Sequence, residues 1–289
     1  MTGSVAEAAG VVNEQAWRLP AASLRAYVTS YTGYRQAGLE PARHRGLPSP
    51  SVTLIFTLDD PLVIETHADP RQPPDTYNSL LGGLHARPAI ITHDGRQSGV
   101  QLGLSPFGAR ALLNMPAGEI AHIDVSAEDV LGPLANEIRE RLLATTNWRQ
   151  RFAILDDVLL ARANAADSRR AVSDEVSYAW RHLLRTDGSA SVVELAAQTG
   201  WSDRHLRTRF RSETGLAPKE AARVIRFTRA RQELQRRASD GQPLCLADLA
   251  ATFGYFDQAH MDREFGLLAG CAPTTWLAEE FRNFQATAV

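Results

Sequence analysis

The chain has 289 residues, 44% hydrophobic and 22% charged, with a formal net charge of −2 at pH 7. This length suits two domains with packed cores, and the near-neutral balance excludes attraction to nucleic acid through net charge alone. The chain lacks an apolar run of the roughly 20 residues that span a membrane, a secretory signal at its first residues and the cysteines of a disulfide framework, so we expect a reduced, cytoplasmic setting without membrane contact.

Residues 1–125 are predicted to form a β-rich domain, with most strands between about 20 and 125. Asp69–Asp75 is rich in proline and predicts a loop, and Asp94-Gly95 is typical of a tight hairpin turn. Many short strands separated by turns favour a barrel or a sandwich. Four apolar, β-branched runs indicate strands: Ser51–Leu58, Pro61–Thr66, Ala89–Thr92 and Val100–Leu104.

The string GLHARPA at Gly83–Ala89 is similar to the active-site loop of phosphocarrier proteins, in which a histidine carries the phosphoryl group. Such a loop must open a helix, because the phosphate is held by the free N–H groups of a helix start. Here a β-branched run and an Asp-Gly turn follow instead. We therefore interpret His85 and Arg87 as ordinary residues at the start of a strand, and a phosphocarrier or enzyme acting through His85 remains the disfavoured alternative.

The same domain has enough aromatic residues to line an effector pocket, although aromatic residues more often fill a core. Its five histidines raise a metal hypothesis, but no H-x-H pair or closely spaced carboxylate accompanies them. We predict neither a metal nor a cofactor. The histidines are His44, His67, His85, His93 and His122.

Residues 126–172 are predicted to form a helical connector. Ser126–Asp129 has the spacing of a helix N-terminal cap, and apolar residues then recur at helical spacing. Asn164–Arg170 is small and polar and predicts a linker. The apolar positions either pair two subunits in a homodimer or pack on the chain's own β-domain: Leu134, Ile138, Leu142, Phe152, Leu155 and Leu159.

Residues 173–289 are predicted to be helical throughout and contain an internal repeat. LAAQTGWSDRHLRTRFRSETGLAPKEA from Leu195 aligns with LAATFGYFDQAHMDREFGLLAGCAPTTWL from Leu249, with one extra residue in the second turn. Self-similarity of this kind indicates one supersecondary unit used twice. Each copy predicts helix, turn and helix, because Gly200 suits a left-handed helix end and Ser202 suits the next helix cap.

The second helix of the first copy has an apolar face and a cationic face. Leu206 and Phe210 stand four residues apart and are predicted to face inward. The opposite face carries three arginines, and arginine binds guanine or phosphate. This arrangement matches the needs of a helix that reads the DNA major groove. The face consists of Arg204, Arg207, Thr208 and Arg211.

On these motifs, residues from about 175 to 282 resemble the DNA-binding domain of AraC/XylS-type transcription regulators. The second copy, GYFDQAHMDREFGLLAGCAP, carries the resemblance most specifically. The N-terminal part is more weakly similar to cupin-like sensor domains. The resemblance implies an α+β chain: a β-rich, cupin-like N-terminal domain, then an all-α DNA-binding domain with two helix-turn-helix units joined by a long helix at Pro218–Ala238.

The resemblance also implies which residues contact double-stranded DNA. The first unit would contact DNA through Ser202, which also caps the helix, and through Arg204, Arg207 and Thr208. Arg211 is added to this set from the helical face. The second unit would use Gln258, Ala259 and Arg263, and His260 would reach a phosphate. Further expected partners are a small-molecule effector at the N-terminal domain, RNA polymerase and a second copy of the chain.

Charge is divided unequally between the two units. Trp201–Arg237 holds eleven Lys and Arg against four Asp and Glu, whereas Ala238–Val289 holds two against seven. Because phosphate neutralisation supplies much of DNA affinity, we expect the first unit to anchor the DNA. An enzyme is disfavoured, since nucleophile-elbow, phosphate-loop and zinc-protease motifs are lacking. Cys245 and Cys271 lie outside a reactive Pro-Cys-His setting and are expected to pack inside the repeat.

Overall fold

The computed structural model describes residues 11–165 and 172–285, with side chains up to Glu279. The first ten residues, where no secretory signal was expected, and most of the predicted linker at Asn164–Arg170 lie outside these ranges. Ten strands precede the helices: β1 Val12–Arg18, β2 Val28–Ala37, β3 Ala42–Gly46, β4 Val52–Thr57, β5 Leu62–Thr66, β6 Asp75–Tyr77, β7 Ser79–Gly82, β8 Ala89–His93, β9 Gln97–Leu104 and β10 Asp124–Ser126.

The strands form two antiparallel sheets, one of six strands in the order β1-β2-β9-β4-β7-β10 and one of four in the order β3-β8-β5-β6. Ile55 and Leu80 of the larger sheet pack on Ile64, Tyr77 and other apolar residues of the smaller one. The opposite face of the larger sheet joins the main core and packs on helices. The predicted β-rich domain is therefore confirmed as a two-sheet structure.

Two sequence expectations need correction in this domain. The first strand begins at Val12, ahead of the expected start near residue 20. The predicted hairpin at Asp94-Gly95 is wrong, because β8 and β9 belong to different sheets. The turn itself forms, with Gly95 at φ +100° and its carbonyl accepting from Leu39 N–H at 3.2 Å. A turn signal is local, whereas long-range pairing decides which sheet the next strand joins.

Several short helices follow β9 and lead into the connector. α1 (Pro106–Gly108) continues as a π-helical turn at Ala109–Leu113, and a 3₁₀ turn covers Ala117–Ile120. The Ser126 hydroxyl caps the next helix by accepting from Glu128 N–H at 3.3 Å, as predicted. The connector helices are α2 Ala127–Leu131, α3 Pro133–Leu143 and α4 Trp148–Ala165.

The connector packs on its own β-domain. Ile138, Leu142 and Leu155 are at most 1% exposed within the single chain, and Leu134 is partly buried beside them. Asp156 of α4 accepts a hydrogen bond from the Tyr31 hydroxyl of β2 at 2.9 Å. The sequence left two alternatives open for these apolar residues, pairing of two subunits or packing on the chain's own β-domain. In the structure they pack on the β-domain.

Helices make up the remaining described chain, as predicted. Cys271 packs at the edge of the core, but Cys245 is exposed, so its expected packing is wrong. Among the described residues, no helix is both long and apolar enough to cross a membrane. The helices are α5 Asp174–Arg185, α6 Val192–Thr199, α7 Asp203–Thr214, α8 Pro218–Ser239, α9 Leu246–Thr252, α10 Gln258–Ala269 and α11 Pro273–Gln285.

Candidate DNA-binding surface

The first repeat folds as a capped helix-turn-helix made of α6 and α7. Ser191 and Glu194 form a reciprocal capping box at the start of α6, and Gly200 ends it in the left-handed conformation at φ +70°. Ser202 then accepts from His205 N–H at 3.3 Å and starts α7. Both helix ends that border the turn are therefore capped by hydrogen bonds, which defines where α6 ends and where α7 begins.

The side chains on the outer face of α7 are available to a partner. Leu206 and Phe210 are fully buried, which turns the predicted cationic face outward. Arg207 has only a long contact with Asp203, at 3.9 Å. In the described part of the chain, Arg204 and Arg211 form no ion pair. The exposed residues of this face are Arg204, Arg207, Thr208 and Arg211.

The second repeat, α9 and α10, repeats this geometry. Asp257 caps α10 by accepting from His260 N–H at 2.6 Å, and Gly270 ends it at φ +73°. Met261 and Phe265 are buried in the positions of Leu206 and Phe210. The exposed side chains predicted to contact DNA from this helix are Gln258, Ala259 and Arg263.

His260 differs from the other predicted contact residues because both of its ring nitrogens face the protein. Its Nδ1 accepts from Phe256 N–H at 3.2 Å, and its Nε2 lies 3.7 Å from Glu264 Oε1. The ring also packs edge-on against Tyr255, at 5.5 Å between centroids. This arrangement stabilises the turn before α10, and the predicted phosphate contact of His260 stays a prediction.

Much of the positive charge counted in the first unit is neutralised inside the domain. Glu264 of α10 is 6% exposed and binds two arginines of α8, Arg223 at 2.8 Å and Arg226 at 3.0 Å. Farther along α8, Arg236 pairs with Glu233 at 2.8 Å. Sequence reasoning counted Arg223 and Arg226 with the DNA-facing arginines, because their pairs with Glu264 join distant helices and leave no local signal. The cationic character available to DNA is therefore concentrated on α7.

The β-domain contacts the first unit at the C-terminal end of α7. Arg110 Nε donates to Glu213 Oε2 at 2.9 Å, and its Nη2 donates to Oε1 and Oε2 at 2.8 and 2.7 Å. Beside this pair the backbones are in close contact, since a Cβ atom on Gly118 would lie 2.2 Å from the Ser212 carbonyl oxygen. Sequence analysis missed Arg110 and Glu213, because neither lies in a motif.

The β-domain also contacts the second unit. Arg45 of β3 forms an ion pair with Glu279 of α11 at 2.7 Å. Pro88, in the loop that contains GLHARPA, lies against Gly270, where a Cβ atom would be 3.4 Å from the Pro88 ring. One domain thus contacts both helix-turn-helix units.

His85 lies in a loop of the β-domain, away from any helix start, as the sequence predicted. Its Nδ1–H donates to the Arg87 carbonyl at 2.5 Å, and β8 begins two residues later at Ala89. Burial lowers the pKa of the imidazole. Without helix N–H groups to hold a phosphate, this loop does not support the phosphocarrier alternative.

Comparison with known proteins matches both parts of the chain. A helix-turn-helix domain family covers residues 178–279, and a domain of unknown function (DUF6597) covers residues 18–126. The HTH-type transcriptional activators RhaR of Salmonella dublin and Salmonella newport are 29% identical over 147 residues, which are 50% of this chain and 47% of each relative. The chain thus spans about half the length of the curated relatives it matches.

Two solved structures share the fold over nearly the whole chain. ToxT from Vibrio cholerae O395 has a TM-score of 0.51 at 13% identity, covering 86% of this chain and 96% of ToxT. Wild-type ToxT from V. cholerae strain SCE256, bound to an unsaturated fatty acid, has a TM-score of 0.53 at 10% identity, covering 91% and 97%. At these identities the likeness concerns the fold.

The described chain combines a two-sheet β-domain with two helix-turn-helix units on one long helix, which is a two-domain architecture. The helix-turn-helix domain match, the similarity of half of the chain to the RhaR activators and the fold shared with ToxT agree with the resemblance of this chain to AraC/XylS-type regulators.

Proposed function

We propose that this protein is a sequence-specific transcription regulator that places α7 and α10 in adjacent major-groove segments of double-stranded DNA, about one helical turn apart. The observation that carries the proposal is the duplicated, N-capped recognition helix whose outer face is exposed; on the first copy, Arg204 and Arg211 form no ion pair with any described residue. Such a protein acts on the chromosome in the cytoplasm and has no catalytic role.

The contacts within this interface follow from the exposed faces. On α7, Arg204, Arg207 and Arg211 bind guanine edges or phosphates, and Thr208 lies between them. The Thr208 hydroxyl donates to the Arg204 carbonyl at 3.0 Å, so its methyl group is the part directed to a base. On α10, Gln258, Ala259, His260 and Arg263 make a weaker set of contacts, because one cation replaces three.

The test is selection of bound fragments from sheared genomic DNA by the full chain, followed by sequencing. The expected result is a shared motif of two blocks about 10 base pairs apart. The double variant R204A/R207A should lose this enrichment. R141A serves as the matched control, because Arg141 is a half-exposed arginine of the connector helix α3. Binding without a shared motif, or equal enrichment by R204A/R207A, would contradict the proposal.

A small-molecule effector at the β-domain is the second part of the proposal. It is supported by the contacts of this domain with both DNA-binding units and by the fatty acid bound in a solved ToxT structure of the same fold. Binding of an effector would move α7 relative to α10 and change the fit to two groove segments. The test has two steps: small molecules that raise the melting temperature of the chain are identified, and DNA affinity is then measured with and without each of them. Ligands that stabilise the chain without changing its DNA affinity would contradict the proposed link between effector binding and DNA binding.

RNA polymerase and a second copy of the chain are the further proposed partners. The acidic second unit offers the surface for polymerase, and its test is transcription from the selected promoter with purified polymerase.

A homodimer would have to use surfaces other than Ile138, Leu142 and Leu155, because the chain buries these residues itself. Light scattering of the free and DNA-bound protein measures this stoichiometry, and one copy per operator would exclude the dimer.

A further inference from the structure

The turn of the second unit contains one residue more than the turn of the first, and that residue is Phe256. Between Gly200 and the cap Ser202 of the first unit there is only Trp201, whereas Tyr255 and Phe256 lie between Gly254 and the cap Asp257. Tyr255 takes the inward position of Trp201 and is 4% exposed. The additional residue therefore has no place in the core.

The Phe256 side chain is 92% exposed, the highest value among the large hydrophobic residues of the described chain. Its backbone is held in place, since Phe256 N–H donates to His260 Nδ1 at 3.2 Å. Tyr255 N–H, just before it, donates to the Ala250 carbonyl at 3.0 Å, and the Arg226 guanidinium lies 4.8 Å from the Tyr255 ring centroid. A fixed backbone thus presents an aromatic ring to solvent.

This ring lies at the start of α10, next to Gln258 and Ala259, which are also exposed. The first residues of a recognition helix are the ones that approach base edges. The face of this helix is poor in cations, because Asp262 and Gly266 stand where the first unit has Arg207 and Arg211. In the major groove, apolar side chains read the C5-methyl group of thymine.

We propose that Phe256 is a specificity-determining contact of the second unit, packing its ring against a thymine methyl at the edge of the block that α10 reads. This inference rests on the proposed DNA-binding function and names how its second half recognises sequence. The two units then differ in kind: the first gains affinity from charge, and the second gains sequence preference from an apolar contact. DNA is favoured over a protein partner because the ring is continuous with the predicted contact residues of α10.

The experiment uses the full chain and the operator obtained by genomic selection. Each thymine in the block assigned to α10 is replaced in turn by deoxyuridine, which removes only the methyl group. For wild-type protein we expect about a fourfold loss of affinity at one thymine, the amount that one buried methyl group contributes. The variant F256A should bind the unmodified operator about tenfold more weakly and should no longer respond to that replacement.

Salt dependence and a matched control separate this contact from charge and from folding. F256A should leave the slope of affinity against salt unchanged, whereas R263A should lower it by about one. L267A is the control, because Leu267 is a 60% exposed apolar residue at the other end of α10. Neither F256A nor L267A should change the melting temperature, since neither side chain is part of the core.

Three outcomes would overturn the proposal. Equal DNA affinity of F256A and L267A would exclude Phe256 as a DNA contact. Weaker binding by F256A with no thymine sensitive to deoxyuridine in wild type would mean that the ring packs on the sugar-phosphate backbone. If F256A binds DNA like wild type but no longer supports transcription by purified polymerase, or has a different oligomer mass in light scattering, the ring would belong to a contact with a protein partner. Failure of the selection itself to yield any motif would instead count against the proposed function.

Discussion

Replacing Arg110 with alanine should destabilise the contact between the β-domain and the first recognition helix. The Arg110 guanidinium makes three hydrogen bonds of 2.7–2.9 Å to the Glu213 carboxylate, which is 8% exposed. Without the arginine, this carboxylate stays buried with its main partner removed. Breaking a buried ion pair from one side costs about 3–5 kcal/mol, mostly because one charge remains uncompensated.

A double-mutant cycle can show how much of the lost unfolding free energy comes from the uncompensated charge of Glu213. E213Q removes the charge but leaves a hydrogen-bonding amide, so R110A/E213Q should be more stable than R110A alone by about 1–3 kcal/mol. The free energy of unfolding is measured by urea titration of tryptophan fluorescence in the full chain. R141A is the control. In the wild-type chain Arg141 forms an exposed ion pair with Glu137 that is long, at 3.8 Å, so its removal should change the free energy of unfolding little.

The same variants test whether this contact transmits a signal to DNA. If the β-domain positions α7 through Arg110, then R110A should change operator affinity although it leaves every predicted DNA contact intact. A free energy of unfolding for R110A equal to that of wild type would refute the buried-charge reasoning. Additive losses in the double variant would show that Arg110 and Glu213 act independently, contrary to the observed geometry.

The remaining predictions concern DNA affinity, backbone strain and pH. In gel-shift titrations at fixed salt, Arg207→Ala should weaken binding far more than Arg263→Ala, and equal losses would contradict the anchoring role of the first unit. Gly215→Ala should destabilise the chain more than Gly200→Ala. Both glycines have positive φ, which costs an alanine about 1–2 kcal/mol, but only at 215 would the new Cβ atom clash, because it would lie 2.6 Å from the Cβ atom of Ala121. Equal melting temperatures of the two variants would exclude the clash. Burial and the nearby His93 lower the pKa of His44 to about 4 in the folded chain. As the pH falls from 6.5 to 4, the unfolded chain therefore binds a proton before the folded chain does, and the free energy of unfolding should decrease. H44N should make the free energy of unfolding less dependent on pH in this range, and an unchanged pH dependence would exclude His44 as the cause.

The helix-turn-helix units could be predicted because their signals are local. Gly200 ends one helix and Ser202 starts the next through hydrogen bonds to residues within four positions. Leu206 and Phe210 repeat at the helical period, so the buried face, and with it the exposed cationic face, follows from spacing alone. For the same reason the cap at Ser126 was predictable.

Pairings between distant segments could not be predicted. The Asp94-Gly95 turn indicated a hairpin, but β9 pairs with β2 and β4 instead of with β8. Cys245 was expected to pack within the repeat and is exposed at the start of α9, because the helical period does not extend into that turn. Arg223 looked like part of a DNA-binding charge until the fold placed Glu264 beside it.

Three features follow from residue spacing within a few turns of chain: the order of a strand-rich and a helical part, the duplicated helix-turn-helix unit, and its outward arginines. Three other features became visible only in the folded chain: which arginines stay available to DNA, which residues join the β-domain to α7, and the exposure of Phe256 to solvent. These features depend on contacts between residues far apart in the chain, such as the 103 positions that separate Arg110 from Glu213. Such contacts form only when the folded cores bring the segments together.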